Sequence, residues 1–131
     1  MSRLVDSPAW IDVQDPDDGE LDRLAQEFGL HDLAVEDARE GHQRPKVEGY
    51  DETLFVVLKP VRYLEEEERL DIDEVDVFVG RDFLVSVRYR DQKDLETVRE
   101  RFEGDDDLLR CGPAAILHAI LDHVVDQYLP V

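Results

Sequence analysis

The sequence predicts an α/β domain in which helices pack on a mixed, largely antiparallel sheet. Three observations lead there. Strand-like and helix-like patterns follow one another in the order strand, two helices, several strands, two helices, which places helices over a sheet. Two of the strands are joined by a tight reversal and are therefore antiparallel. The chain has 131 residues, 42% of them hydrophobic, enough for one core and short for two.

Trp10-Ile11-Asp12-Val13 reads as a short strand. It ends at Asp15-Pro16-Asp17-Asp18, where Asp15 is placed to cap a helix carrying Pro16 at its first position. Leu21, Leu24, Ala25 and Phe28 fall at i, i+3, i+4 and i+7, an amphipathic helix that Gly29 stops. A second short helix, Asp32 to Glu40, follows at once. Thr53 to Leu58 is a continuous apolar and β-branched run, expected of a central strand covered on both faces. Pro60 marks a bulge or an edge beyond it. Glu65 to Glu68 is a like-charged stretch and reads as a solvated turn. Val75, Val77 and Val79 then alternate with Asp76 and Phe78. Gly80-Arg81-Asp82 reverses the chain into Phe83, Val85, Val87 and Tyr89, completing a hairpin. Leu95, Val98 and Phe102 give a third helix, ending near Gly104 and an Asp105-Asp106-Asp107 loop. Pro113 opens the last helix, whose expected buried stripe is Leu117, Ile120, Leu121, Val124, Val125 and Tyr128. No internal repeat or linker divides residues 1–131, which read as a single soluble domain.

Charge narrows the function. The net charge is -19, which excludes coating of DNA or RNA, because a phosphate backbone demands neutralising cations. It argues equally against docking on anionic lipid. The expected partners are cations or a basic surface. The 34 acids face 12 arginines and only three lysines, Lys46, Lys59 and Lys93. Such a composition suits a halophilic acidic protein, whose self-repulsion concentrated salt screens. An arginine-rich genome gives the same bias by another route.

Enzymatic chemistry finds little support. The serines are Ser2, Ser7 and Ser86, none in a GxSxG setting. The seven glycines are scattered singly and make no phosphate-binding loop. Cys111 is the lone cysteine, so zinc spacing and internal disulfides are both absent and a reducing compartment fits. No apolar signal-peptide core precedes Trp10, and the longest purely apolar run, Leu54 to Leu58, is far short of the roughly 20 residues of a membrane span. Cation ligation remains. His118, Asp122 and Asp126 recur at i, i+4 and i+8, on one helix face that is either a ligand row or simply the wet side. Glu36 and Asp37 are adjacent on the second helix, with His42 just beyond. Helical neighbours point about 100° apart, so this pair serves two half-sites or is merely solvated. The Asp105 to Asp107 loop lacks the glycine and glutamate positions of an EF-hand.

The stretch FGLHDLAVEDAREGHQRPKVE, from Phe28 to Glu48, resembles the N-terminal cytoplasmic domain of the CorA family of magnesium and cobalt transporters. WIDV before it agrees, as do TLFVVLK, VDVFVGRDFLVSV, VRER and AILHAILDHVVDQYLPV after it. The resemblance covers nearly the whole chain from Trp10. It implies an α/β/α sandwich at the cytoplasmic face of the cell membrane, in a subunit of a homopentamer. A stalk helix and two membrane helices with a Gly-Met-Asn motif would lie beyond Val131, and the family's leading strands would be missing or shortened before Trp10. It also implies regulatory Mg2+, with Co2+ possible, bound between neighbouring subunits. Matched residue by residue, Glu36 and Asp37 fall on the family's acidic pair, His42 on the histidine of HQRP, and Asp122 on the aspartate of ILDH. Alternatives stay open: a Zn2+ or Co2+ transporter of the same family, or a stand-alone acidic module docking a basic partner through Asp122 and Asp126.

The charge balance generates a first prediction. Raising KCl from about 0.1 M to about 1 M shortens the screening length from roughly 10 Å to roughly 3 Å. The thermal unfolding midpoint is expected to rise by several degrees across that range. A midpoint that stays flat or falls would count against self-repulsion as a stability term.

Overall fold

The computed structural model describes residues 2–4, 9–89 and 95–128. Among these, six strands form one sheet: β1 (Ser2–Leu4), β2 (Ala9–Gln14), β3 (Lys46–Tyr50), β4 (Thr53–Leu58), β7 (Val75–Val79) and β8 (Phe83–Arg88). Their spatial order is β1-β2-β8-β7-β4-β3. The β2–β8 pair is parallel, with Trp10 beside Leu84 and Asp12 beside Ser86. The other pairs are antiparallel, so the expected mixed, largely antiparallel α/β fold is present. A separate two-stranded antiparallel sheet pairs β5 (Val61–Leu64) with β6 (Arg69–Ile72).

Helices cover both faces. α1 (Asp18–Phe28) and α2 (Asp32–Glu40) bury Leu21, Leu24, Ala34, Val35 and Ala38 against Ile11, Val13, Phe55, Phe78, Val85 and Val87. On the opposite face α3 (Glu96–Glu103), α4 (Asp106–Leu109) and α5 (Pro113–Tyr128) bury Val98, Phe102, Leu109, Ile116 and Ile120 against Trp10, Val56, Val77 and Leu84. Alternate residues of β2, β4, β7 and β8 therefore feed opposite cores, as the two-residue period of a strand requires. This is why β7 is buried at all five positions, although its sequence reads as one-sided.

Several expectations need correction. Asp15 is not the cap of α1; Asp17 is. Its carboxylate accepts from the Glu20 N–H at 2.8 Å, and Glu20 reaches back to the Asp17 N–H. That reciprocal capping box needs an acid three residues before a glutamate, a spacing Asp17 has and Asp15 lacks. The Asp105 to Asp107 stretch is not a bare loop, since Asp105 caps α4 by accepting from the Leu108 N–H at 3.0 Å. The last helix buries Ile116, Ala119, Ile120 and Val124, whereas Val125 is 49% exposed; the side chain of Tyr128 lies outside the described residues. β4 is covered on both faces only at its centre, because Leu54 sits 42% exposed beside the edge strand β3. Of the two expectations for the leading strands, missing or shortened, the second applies: a three-residue strand, β1, pairs with β2. Other expectations agree. Gly29 closes α1 with φ 65°, and a side chain at Gly80 would meet the Phe83 ring at 2.1 Å, so the β7–β8 turn needs glycine there.

A buried polar chain ties β2 to β8. Trp10 Nε1 donates to Ser86 Oγ at 2.9 Å, and Ser86 Oγ donates to Asp12 Oδ1 at 2.7 Å. Arg88 grips the same carboxylate through Nη2 at 2.6 Å and Nε at 3.2 Å. The Arg99 guanidinium of α3 lies over the Trp10 ring at 4.9 Å. Arg88→Met leaves a buried carboxylate without its counter-ion, which costs about 3–5 kcal/mol. Chemical denaturation is expected to show a loss of that size for Arg88→Met and a much smaller one for the exposed Arg81→Met. Equal losses would remove the special role of the pair.

Candidate metal centre

The four residues singled out as ligands are distributed over both helical layers. Asp37 lies on α2 and turns toward the sheet edge. Its Oδ2 accepts from Lys46 Nζ at 2.7 Å, and the same ammonium lies 2.6 Å from Glu48 Oε1. Lys46 and Glu48 alternate along β3, so both present to α2, and Tyr50 joins them by donating to Glu48 Oε2 at 2.9 Å. Two hydrogen-bond donors, Lys46 and then Tyr50, hold the Glu48 carboxyl below its ordinary range. Burial and the facing Glu48 push Tyr50 up.

Glu36 points elsewhere, as a helix requires of a neighbour. It is exposed and borders a shallow depression with Asp22 and Arg39. There Arg39 clamps α2 to α1 through Asp18 at 3.0 Å and Asp22 at 2.6 Å. His42 follows the helix with φ 57° and is exposed at the mouth of a cavity of about 200 Å³ that Lys59, Glu74 and Tyr89 also line. Asp122 lies on α5, in the layer on the other side of the sheet. It is solvent-facing and approaches His118 Nδ1 at 3.4 Å, one turn away; Asp126 is exposed one turn further on.

The chain thus brings Asp37 to Lys46 and Glu48, and Asp122 to His118, but the sheet keeps the two sets apart. Among the described residues no group of three or more His, Cys, Asp or Glu side chains is gathered to hold a metal ion. As donors, the carboxylates suit Mg2+, which takes oxygen and keeps several waters. The imidazole of His42 suits Co2+ better.

Comparison with known proteins decides the family. The model described as CorA-like Mg2+ transporter protein matches residues 6–131. The chain belongs to the CorA-like Mg2+ transporter family. It is 36% identical over 122 residues to YfjQ of Bacillus subtilis, covering 93% of this chain and 37% of that protein. It is 28% identical over 124 residues to the cobalt/magnesium transport protein CorA of Thermotoga maritima, covering 93% of this chain and 35% of that one. The CorA-like chain thus spans about a third of the length of these relatives. The soluble domain of CorA from Methanocaldococcus jannaschii shares the fold, with a TM-score of 0.73 at 19% identity over 92% of this chain and 48% of that one. Among the described residues of this CorA-like domain, no helix is long and apolar enough to cross a membrane.

Sequence reasoning missed the residues around Asp37 and a second group, the buried acids of β7 and its approach. The signal for that group was a carboxylate inside an apolar strand, Val-Asp-Val-Phe-Val, in a domain covered on both faces. Asp76 is fully buried and Glu74 nearly so. Glu74 Oε1 accepts from Lys59 Nζ at 2.6 Å and from the Gln43 N–H at 2.8 Å. Tyr89 Oη lies 2.7 Å from Asp76 Oδ2 and also contacts the Ala38 carbonyl. Tyr89 has a single phenolic proton to give, and donated to Asp76 Oδ2 it favours the ionised carboxylate. Burial first, then the neighbouring Glu74, push Asp76 up to about 8, against the lowering effect of Tyr89.

The sign follows from linkage. An acid whose folded pKa exceeds its unfolded value binds its proton more tightly in the fold. Its contribution is complete below about pH 4 and is lost as pH rises toward about 8. Unfolding free energy is therefore expected to fall across that window in the native chain. Asp76→Asn, which keeps a donor and cannot ionise, is expected to flatten the slope; an unchanged slope would show that Asp76 does not titrate there.

Proposed function

We propose that this chain is the cytoplasmic cation-sensing domain of a CorA-like transporter of Mg2+, and of Co2+ in the same role. Its regulatory Mg2+ would be held between adjacent copies by Glu36 and Asp37 of one copy and Asp122 of the next, with His42 beside the acidic pair. The observation that carries this reading is the placement of the two carboxylate sets in opposite layers of one chain. One copy cannot bring them to a common ion, whereas neighbouring copies in a ring can present one set to the other. Family membership supplies the transporter context, and the homopentamer belongs to the same proposal.

Bound Mg2+ supplies two positive charges that neutralise the facing carboxylates. Everything else is done by the chain. Asp37 and Asp122 are carried on helices packed across a rigid sheet, so their positions move with the whole domain. Bare carboxylates about 4 Å apart repel by roughly 4 kcal/mol at an effective dielectric near 20, less where salt screens them. Repeated around a ring, that repulsion favours separation of the subunits and an open pore when cytosolic Mg2+ is scarce. When Mg2+ is plentiful the carboxylates tolerate one another and the closed ring persists.

The test is Mg2+ titration of the full-length transporter with closure read by intersubunit cross-linking. Asp37→Ala and Asp122→Ala are each expected to raise the Mg2+ midpoint about tenfold, while Asp106→Ala, at the equally acidic and exposed start of α4, leaves it unchanged. An equal response from all three variants would reduce the effect to diffuse binding by an acidic surface.

A further inference from the structure

Resting on the reading of Asp37 as a ligand, we propose that Lys46 is a tethered counter-cation that occupies the Asp37–Glu48 carboxylate pair and sets the Mg2+ concentration at which a divalent ion can take Asp37 over. The geometry is specific. One ammonium lies 2.7 Å from Asp37 Oδ2 and 2.6 Å from Glu48 Oε1, the separations at which a cation is fully engaged. Its position is fixed from both sides, since α2 supplies Asp37 and the edge strand β3 supplies both Lys46 and Glu48. Lys46 Nζ also lies over the Phe55 ring, 5.8 Å from its centroid, at the outer limit of a cation–π contact.

Two features make this a competitor and not only a strut. The side chains of Lys46 and Asp37 remain 28% and 27% exposed, so the contact opens to water and an incoming ion without unfolding the core. Lysine is also scarce here, three residues against 12 arginines, and the residue at this pair is the flexible point charge. A planar guanidinium would lock a carboxylate through paired hydrogen bonds and release it less readily. Displaced, Lys46 leaves Asp37 and Glu48 as two carboxylates converging on one point, and Glu48 joins the half-site that the acidic pair alone does not complete.

The experiment uses the full-length transporter and reads the Mg2+ midpoint for protection from chymotrypsin, together with the thermal unfolding midpoint of each variant without Mg2+. Lys46→Met is expected to lower the Mg2+ midpoint about two- to fivefold, the range open to a partly exposed ion pair. The gain is expected to vanish in Lys46→Met combined with Asp37→Asn, and Lys46→Arg is expected to leave the midpoint unchanged or raise it. If Lys46→Met leaves or raises the midpoint while Asp37→Asn alone raises it, Lys46 is structural and this inference fails while the ligand reading stands. If Lys46→Arg lowers the midpoint as far as Lys46→Met does, the effect is packing and not charge, and the inference also fails. If Asp37→Asn alone changes nothing, the ligand reading falls and takes this one with it.

Discussion

The parallel pairing of β2 with β8 is the constraint on which the rest of the domain depends. It joins the first helix-bearing half of the chain to the β7–β8 hairpin, residues more than seventy positions apart, and no local turn enforces it. What holds it is a continuous polar chain inside an apolar layer: Trp10 to Ser86, Ser86 to Asp12, and Asp12 to Arg88. Buried polar groups tolerate only their own partners. A one-residue slip of β2 would turn Asp12 and Trp10 to the wrong core and strand Arg88. The pairing therefore fixes register as much as it contributes stability, and Arg99 over Trp10 extends the same lock to α3.

With β2 and β8 at that register, the sheet becomes a partition. Everything on α1 and α2 belongs to one side and everything on α3 to α5 to the other. The acidic pair Glu36 and Asp37 and the acid of α5, Asp122, are separated by this construction. A site using both must be completed from a second copy, which is what turns a sensing surface into a device for reading subunit arrangement. The same partition explains the buried acids. Asp76 faces α2 from a central strand, where Tyr89, Glu74 and, through Glu74, Lys59 are set around it.

Cations are used sparingly in this acidic chain. Of its three lysines, Lys46 and Lys59 are both set against carboxylates, Asp37 with Glu48 and Glu74 respectively. Arg39 clamps α1 to α2, and Arg88 serves the interior. The net charge of -19 is thus not spread evenly. These four cations each join two segments of the chain, and the outer faces of α2 and α5 keep exposed carboxylates.

The sequence by itself determined the fold class, the helices from Asp18 and Asp32, the β7–β8 hairpin and the family to which HQRPKVE points. These rest on local signals: apolar spacing, a glycine at a left-handed cap, a tight reversal. It did not reveal β3, because Lys-Val-Glu-Gly-Tyr alternates weakly and gains its strand character from pairing with β4. It placed the cap of α1 two residues early, since Pro16 outweighed the Asp17–Glu20 spacing. It named Asp37 and could not name Lys46 and Glu48 as its partners, because which strand lies beside α2 is a matter of topology. Only the tertiary structure decided which carboxylates are bare and which are already neutralised. Charge type is written in the chain, but the burial and the neighbours that give a charge its energy are set by how distant segments pack.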